Sequence, residues 1–169
     1  MKNKLFRNQI GFTLIEVIIG VAICGILGGG IVTAIYQIGR INDSNNARVT
    51  AVKQVENAFY YLNRDVQMAQ NPSVGTNAAF PLTLSWKSWE DNVQYQITYN
   101  LDSSGNLTRN NGAITSTVAK SIDTANNHTN WTYDSSAHKM TILITSMVID
   151  GHIQATETRK IEIIPRSGS

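Results

Sequence analysis

Apolar and polar positions divide the chain into three stretches of different period. In the first, Phe12–Ile15 and Val17–Ile35 form an apolar run interrupted by a single charge, Glu16. Such a run meets the ~20 residues a helix needs to cross a ~30 Å hydrocarbon layer. It lacks the polar stripe of a helix packed on a soluble core, so it predicts a transmembrane helix. In the second stretch Val49, Val52, Val55, Phe59, Leu62, Val66 and Ala69 recur at steps of three and four. Arg48, Lys53, Glu56, Arg64 and Asp65 lie off that stripe, which predicts an amphipathic helix stopped by Asn71-Pro72. The intervening GRINDSNN is polar and weak in helix propensity, either a solvated turn of one long helix or a short break. If the helix is continuous, Phe12–Gln70 spans about 88 Å, and only its second half packs on a folded body.

After Pro72 the period is two. Phe80, Leu82, Leu84 and Trp86 alternate with polar residues, as do Val93, Tyr95, Ile97, Tyr99 and Leu101. Both read as strands with one buried face. Asp102-Ser-Ser-Gly-Asn106 is a turn into a short return strand near Leu107. Met140, Ile142 and Ile144 form another strand, and Asp150-Gly151 is a hairpin signal before a last strand ending at Ile161, Ile163 and Ile164. Thr108–Asn130 is rich in Asn and Thr and is expected to form loops with one short helix or irregular strand. The fold class is α+β: a long N-terminal helix, its first half transmembrane, with an antiparallel sheet burying its apolar face under the second half. The expected organisation is a leader at 1–11, a membrane half of the helix at 12–36, an amphipathic half at 37–70 and a β-rich domain at 71–169.

Charge changes the picture at one end only. The net charge is +2, but Lys2, Lys4 and Arg7 precede Gly11 and no acid does. Without residues 1–11 the chain has 11 basic and 12 acidic side chains, a net charge of −1. The basicity therefore belongs to a targeting segment. The β-rich region has no Lys/Arg cluster, so no nucleic-acid contact is expected. The same three cations place the N-terminus in the cytoplasm and the rest outside it. Cys24 is the single cysteine, so no intrachain disulfide forms.

An ordinary secretory signal has its small residues after the apolar run. Here Gly11 stands before that run, so a cut there would trim the anchor without discarding it. Gly11-Phe12-Thr13-Leu14-Ile15-Glu16, after a short basic leader and before an apolar run, closely resembles the processing site of type IV prepilins and type II secretion pseudopilins. The resemblance covers residues 1 to about 36. It implies cleavage between Gly11 and Phe12 by a prepilin peptidase, N-methylation of Phe12, a pilin fold, and assembly with other pilins or pseudopilins through the N-terminal helices at an inner-membrane assembly platform. It also implies that Glu16 meets the α-amine of Phe12 in a neighbouring subunit and fixes axial register. The plainer alternative keeps Glu16 near the headgroups, since a carboxylate in hydrocarbon costs about 3 kcal/mol or more and Phe12 is only ~6 Å away along the axis.

Gly25, Gly28, Gly29 and Gly30 are candidates for close helix packing or for local unwinding in a filament. Tyr61-Leu-Asn-Arg-Asp-Val-Gln-Met-Ala69, Tyr99-Asn-Leu and Gly105-Asn-Leu-Thr-Arg109 resemble segments of J-type pseudopilins and W-type minor pilins. The chain lacks the C-terminal cysteine pair common in major pilins, which favours a minor component.

No catalytic constellation, cofactor motif or metal-ligand spacing is present: His128, His138 and His152 stand apart. The 102–106 turn is oxygen-rich but lacks the acidic spacing of a calcium loop. Trp86, Trp89 and Trp131 are either core residues or an exposed binding patch. The expected function is a structural subunit of a type IV pilus or type II secretion pseudopilus, in the cytoplasmic membrane and then in a filament. The alternative is a membrane-anchored adhesin or ligand-binding domain delivered by a prepilin-type leader.

Overall fold

The computed structural model describes residues 11–72, 79–88, 90–151 and 153–166. The leader cations Lys2, Lys4 and Arg7, together with Trp89 and His152, lie outside the described residues. Helix α1 runs from Leu14 to Met68 and is followed by β1 (Asn71–Pro72), β2 (Leu82–Lys87), β3 (Gln94–Leu101), β4 (Leu107–Asn110), β5 (Thr115–Ala119), β6 (Asn130–Asp134), β7 (Lys139–Asp150) and β8 (Ile153–Ile163). GRINDSNN is helical, so its polar composition does not break α1. The chain divides into two compact units, one ending at Asn42 and the other beginning at Asp43.

In the first unit every described side chain is exposed, including Phe12, Leu14, Ile26 and Ile38. This helix is long and apolar enough to cross a membrane. Exposed branched apolar residues on all faces are what a lipid environment, and not a folded core, accommodates.

In the second unit the later turns of α1 bury Ala47, Ala51, Val55, Ala58, Phe59, Leu62, Asp65 and Val66. Five of the seven residues of the expected stripe, Val55, Phe59, Leu62, Val66 and Ala69, are buried. Val49 is 51% exposed, and Ala47, Ala51 and Ala58 extend the buried face beyond the stripe. Asp65, expected off the stripe, is wholly buried. The amphipathic half of α1 contributes Leu62 and Val66 to a continuous core with Leu82, Leu84, Ile97, Tyr99 and Leu107, and with Trp131, Met140, Ile142 and Ile144. Each large aliphatic side chain buried there contributes about 1.5–3 kcal/mol.

The strands form two antiparallel sheets where one was expected: five strands in the order β1-β2-β3-β4-β5, and three in the order β6-β7-β8. The Asn/Thr-rich 108–130 region is the reason. It supplies β5, which pairs with β4 and ends the first sheet. The chain then crosses to the second, where Ile122 bridges Ser146 of β7. Two strand starts also differ from the alternating pattern. Phe80 precedes β2 and Val93 precedes β3, and Val93 is exposed.

The crossing is tight. Gly105 (φ +76°) lies against Ile122, whose amide donates to the Gly105 carbonyl at 2.9 Å. A Cβ on Gly105 would sit 2.6 Å from the Ile122 carbonyl oxygen. Asp102 organises the same turn by accepting hydrogen bonds from the Ser104 and Asn106 amides and the Asn106 side chain. These bonds hold its carboxyl below the usual range, the Asn106 side chain first.

Candidate functional site: the N-terminal segment and the anchored helix end

The start of α1 is set by a reciprocal cap. Val17 donates its amide to the Thr13 carbonyl, the first turn of helix, which makes Thr13 the capping residue. The Thr13 amide and hydroxyl both donate to Glu16 Oε2 at 2.9 Å, and the Glu16 amide donates to Thr13 Oγ1 at 3.4 Å. This is a capping box, in which each residue satisfies a backbone donor that the helix start leaves free. It answers how one acid is tolerated at the head of an apolar helix. The carboxylate has two donors from its own chain and lies at the positive end of the helix dipole, which favours an anion there. Thr13 is the functional residue that the sequence reading missed. Its signal was the Thr-x-x-Glu spacing itself.

Gly11 and Phe12 precede this cap and are exposed, Phe12 at 86%. The peptide bond between them thus lies one residue ahead of the cap. The described chain brings Phe12 and Glu16 into one short segment and leaves the cap wholly on the Phe12 side of that bond. Gly25, Gly28, Gly29 and Gly30 are helical, with open space where a Cβ would stand. Thr33 donates its hydroxyl to the Gly29 carbonyl at 2.9 Å. The single chain is therefore helical through the glycines, and unwinding remains an expectation about the assembled filament.

At the other end of α1, the buried Asp65 gathers a polar cluster. Tyr99 donates its hydroxyl to Asp65 Oδ2 at 2.6 Å. Arg109 donates Nε to Oδ2 at 2.6 Å and Nη2 to Oδ1 at 3.3 Å, and Arg64 donates Nε to Oδ1 at 3.1 Å. An acid in the last turns of a helix opposes the helix dipole, and a buried one costs several kcal/mol unless paired and hydrogen-bonded. The fork of Arg109 meets that need from β4, and Tyr99 from β3. Burial and then the Asp65 hydrogen bond push the Tyr99 phenol far up, while the Asp65 hydrogen bond raises the Arg109 guanidinium. Gln70 completes the anchoring: its amide donates to the Ser85 carbonyl and its side-chain oxygen accepts from the Lys87 amide, both at 3.0 Å. Arg64, Asp65, Tyr99 and Arg109 come from three separate elements, and the fold brings them to one point.

The remaining candidates are not gathered into a site. His128 pairs with Asp123 at 2.7 Å and His138 with the Tyr133 hydroxyl at 3.0 Å. Among the described residues no group of His, Cys, Asp and Glu is placed to hold a metal. Trp131 is in the core, whereas Trp86 is half-buried and stacked on Tyr95 with ring centres 5.9 Å apart.

Residues 6–32 match the family model for the prokaryotic N-terminal methylation motif. No curated protein and no solved structure matches the chain. The matched segment holds the Gly11–Phe12 bond, the Thr13–Glu16 cap and the apolar helix through Gly30 and beyond. The chain therefore carries a prepilin-type leader of the type IV pilin and pseudopilin kind, and its long helix followed by antiparallel sheets is an α+β, pilin-like arrangement.

Proposed function

We propose that this chain is a structural subunit, a minor pilin or pseudopilin, which prepilin peptidase cuts between Gly11 and Phe12 and methylates at Phe12, and which then joins or primes a type IV pilus or type II secretion pseudopilus. The observation that carries the reading is the methylation motif at residues 6–32, continuous with an exposed apolar helix. The capping box supports a division of roles for Glu16. In the single chain its charge is held by Thr13. In an assembling filament the new α-amine of a neighbouring Phe12 offers a stronger, charge-assisted partner. The exchange favours transfer from lipid to filament and sets the axial register. Gly25, Gly28, Gly29 and Gly30 let neighbouring helices approach during that transfer. The partners are the prepilin peptidase, the inner-membrane assembly platform and other prepilin-type subunits. The subunit waits as a single-pass protein of the cytoplasmic membrane with residues 71–169 outside the cytoplasm.

The test is done in cells that produce the chain. Mass spectrometry should find methylated Phe12 as the N-terminus, and deletion of the peptidase should leave residues 1–11 attached. Glu16→Ala should be processed normally yet be absent from sheared filaments or cross-linked assemblies. Normal incorporation of Glu16→Ala would refute the register role. An intact leader in peptidase-positive cells would refute the whole reading.

A further inference from the structure

The outer face of the five-stranded sheet forms an open trough of about 670 Å³, lined by Gln96, Thr98 and Asn100 of β3, Thr108 and Asn110 of β4, and Thr115 of β5. That volume lies inside the ~300–1,000 Å³ range of small-ligand sites. Strand alternation builds it. On β3, Ile97 and Tyr99 turn to the core, so the residues between them face outward. Register then sets Thr98, Asn110 and Thr115 in one cross-strand row and Asn100 with Thr108 in the next. Rows are about 6.7 Å apart along a strand and neighbouring strands about 4.8 Å apart.

Every side chain in this lining that can hydrogen-bond is an amide or a hydroxyl, and none is charged. Arg109, the cation on these strands, is turned to the opposite face and bound to Asp65. Two of the groups are pre-set by their own chain. Asn110 accepts the Gly112 amide at 2.7 Å, which leaves its NH₂ group as the outward donor. The Thr108 hydroxyl donates to the Asn100 carbonyl at 3.1 Å, which leaves its oxygen as an acceptor. Among the described residues, the side-chain polar groups of Gln96, Thr98, Asn100 and Thr115 have no intramolecular partner, so donors and acceptors converge on the trough with their capacity unspent.

We propose that this trough binds a neutral oligosaccharide. Phosphates and nucleic acids need cations, cationic peptides need carboxylates, and acyl chains or apolar helices need apolar area. The lining offers no charge of either sign, and its apolar surface, Pro81 and the carbon atoms of these same polar side chains, is interspersed with hydrogen-bonding groups. A chain of uncharged hydroxyl groups, each both donor and acceptor, matches a lattice of amides and hydroxyls. Binding exchanges water hydrogen bonds for protein ones and gains little per contact, so the interaction is millimolar and acts through repetition along a filament or a polysaccharide.

The test uses the full-length, isotope-labelled chain in detergent micelles, titrated with maltohexaose, chitohexaose and xylohexaose at millimolar concentration and followed by amide chemical shifts. At least one of the three should shift Gln96, Thr98, Asn100, Thr108, Asn110 and Thr115 saturably and leave the Trp86–Tyr95 pair unmoved. Asn100→Ala and Thr115→Val, both on the exposed face, should keep the dispersed spectrum. Each should weaken binding severalfold, and together by about tenfold or more, the loss of two hydrogen bonds. No saturable shift with any of the three sugars would overturn the proposal. So would shifts centred on Trp86 and Tyr95, or equal binding of a sulfated oligosaccharide. The readout does not depend on processing or assembly, so it can fail while the subunit reading stands.

Discussion

Gly105→Ala is the substitution that tests the crossing between the sheets most directly. Two costs add. Holding an L-residue in the left-handed region costs about 1–2 kcal/mol. Forcing a Cβ to within 2.6 Å of a backbone oxygen is overpacking, for which about 1–3 kcal/mol is typical. Relief cannot come from a side-chain rotamer, since the obstacle is the Ile122 backbone, itself fixed by its bridge to Ser146 and its hydrogen bond to Gly105. The total is about 2–5 kcal/mol. Gly151→Ala is the control: Gly151 is also left-handed (φ +59°) but has nothing within 4 Å of where a Cβ would stand, so it should cost about 1–2 kcal/mol. Denaturant unfolding of the full chain in micelles, read by the fluorescence of buried Trp131, gives both values. Costs for the two variants within about 0.5 kcal/mol of each other, the usual error of additivity, would refute the tight crossing.

Arg109→Met strips the buried carboxylate of its forked partner and should destabilise the fold by about 3–5 kcal/mol, by the same unfolding assay; the loss of less than about 1 kcal/mol would mean that Arg64 and Tyr99 suffice. The Tyr99 phenol is pushed up by burial, so the folded state keeps its proton where the unfolded state loses it. Stability should therefore fall as pH rises above about 10, and Tyr99→Phe should lessen that alkaline slope, as measured by unfolding at a series of pH values. Asp102 has the opposite sign: its lowered carboxyl stabilises the turn at pH values above the unfolded value near 4 and loses that effect as pH falls through the folded value. Asp102→Ala should consequently lower stability at neutral pH and leave the acid end of the curve unchanged. Thr13→Val removes one half of the cap, and should loosen amide protection of residues 14–16 in hydrogen exchange without changing protection of residues 55–66.

Much of the fold was legible because its elements have clean periods. The apolar run of α1, the alternation of β3 and β7 and the Asp150-Gly151 hairpin each need only local rules. What was not legible depends on distant partners. Asp65 looks solvent-facing because acids usually are, yet in the register Val55, Ala58, Leu62, Asp65 and Ala69 it occupies a core position. Besides its neighbour Arg64, it is Arg109 and Tyr99, 44 and 34 residues away, that make this tolerable. The alanines that widen the buried helix face were not legible for a related reason: Ala47, Ala51 and Ala58 are too small to mark a face by hydrophobicity. The crossing between the two sheets passes through Gly105 and Ile122, a contact that no pattern of polar and apolar residues encodes. At the N-terminal site the Gly11–Phe12 bond and Glu16 were readable from order alone, whereas the cap needed Thr13 to be read with Glu16 as a pair.

The wiring of Asp65 also sets an order of events in time. Chains are made from the N-terminus, so Asp65 emerges well before Tyr99 and Arg109. Until the β3–β4 hairpin follows, Asp65, at the wrong pole of the helix, has only the half-exposed Arg64 beside it. Sealing that stretch of helix needs the guanidinium and phenol that the hairpin delivers. The hairpin acts as a latch: a chain truncated before residue 109 holds every apolar residue of the helix face and still lacks the part that lets the face be sealed.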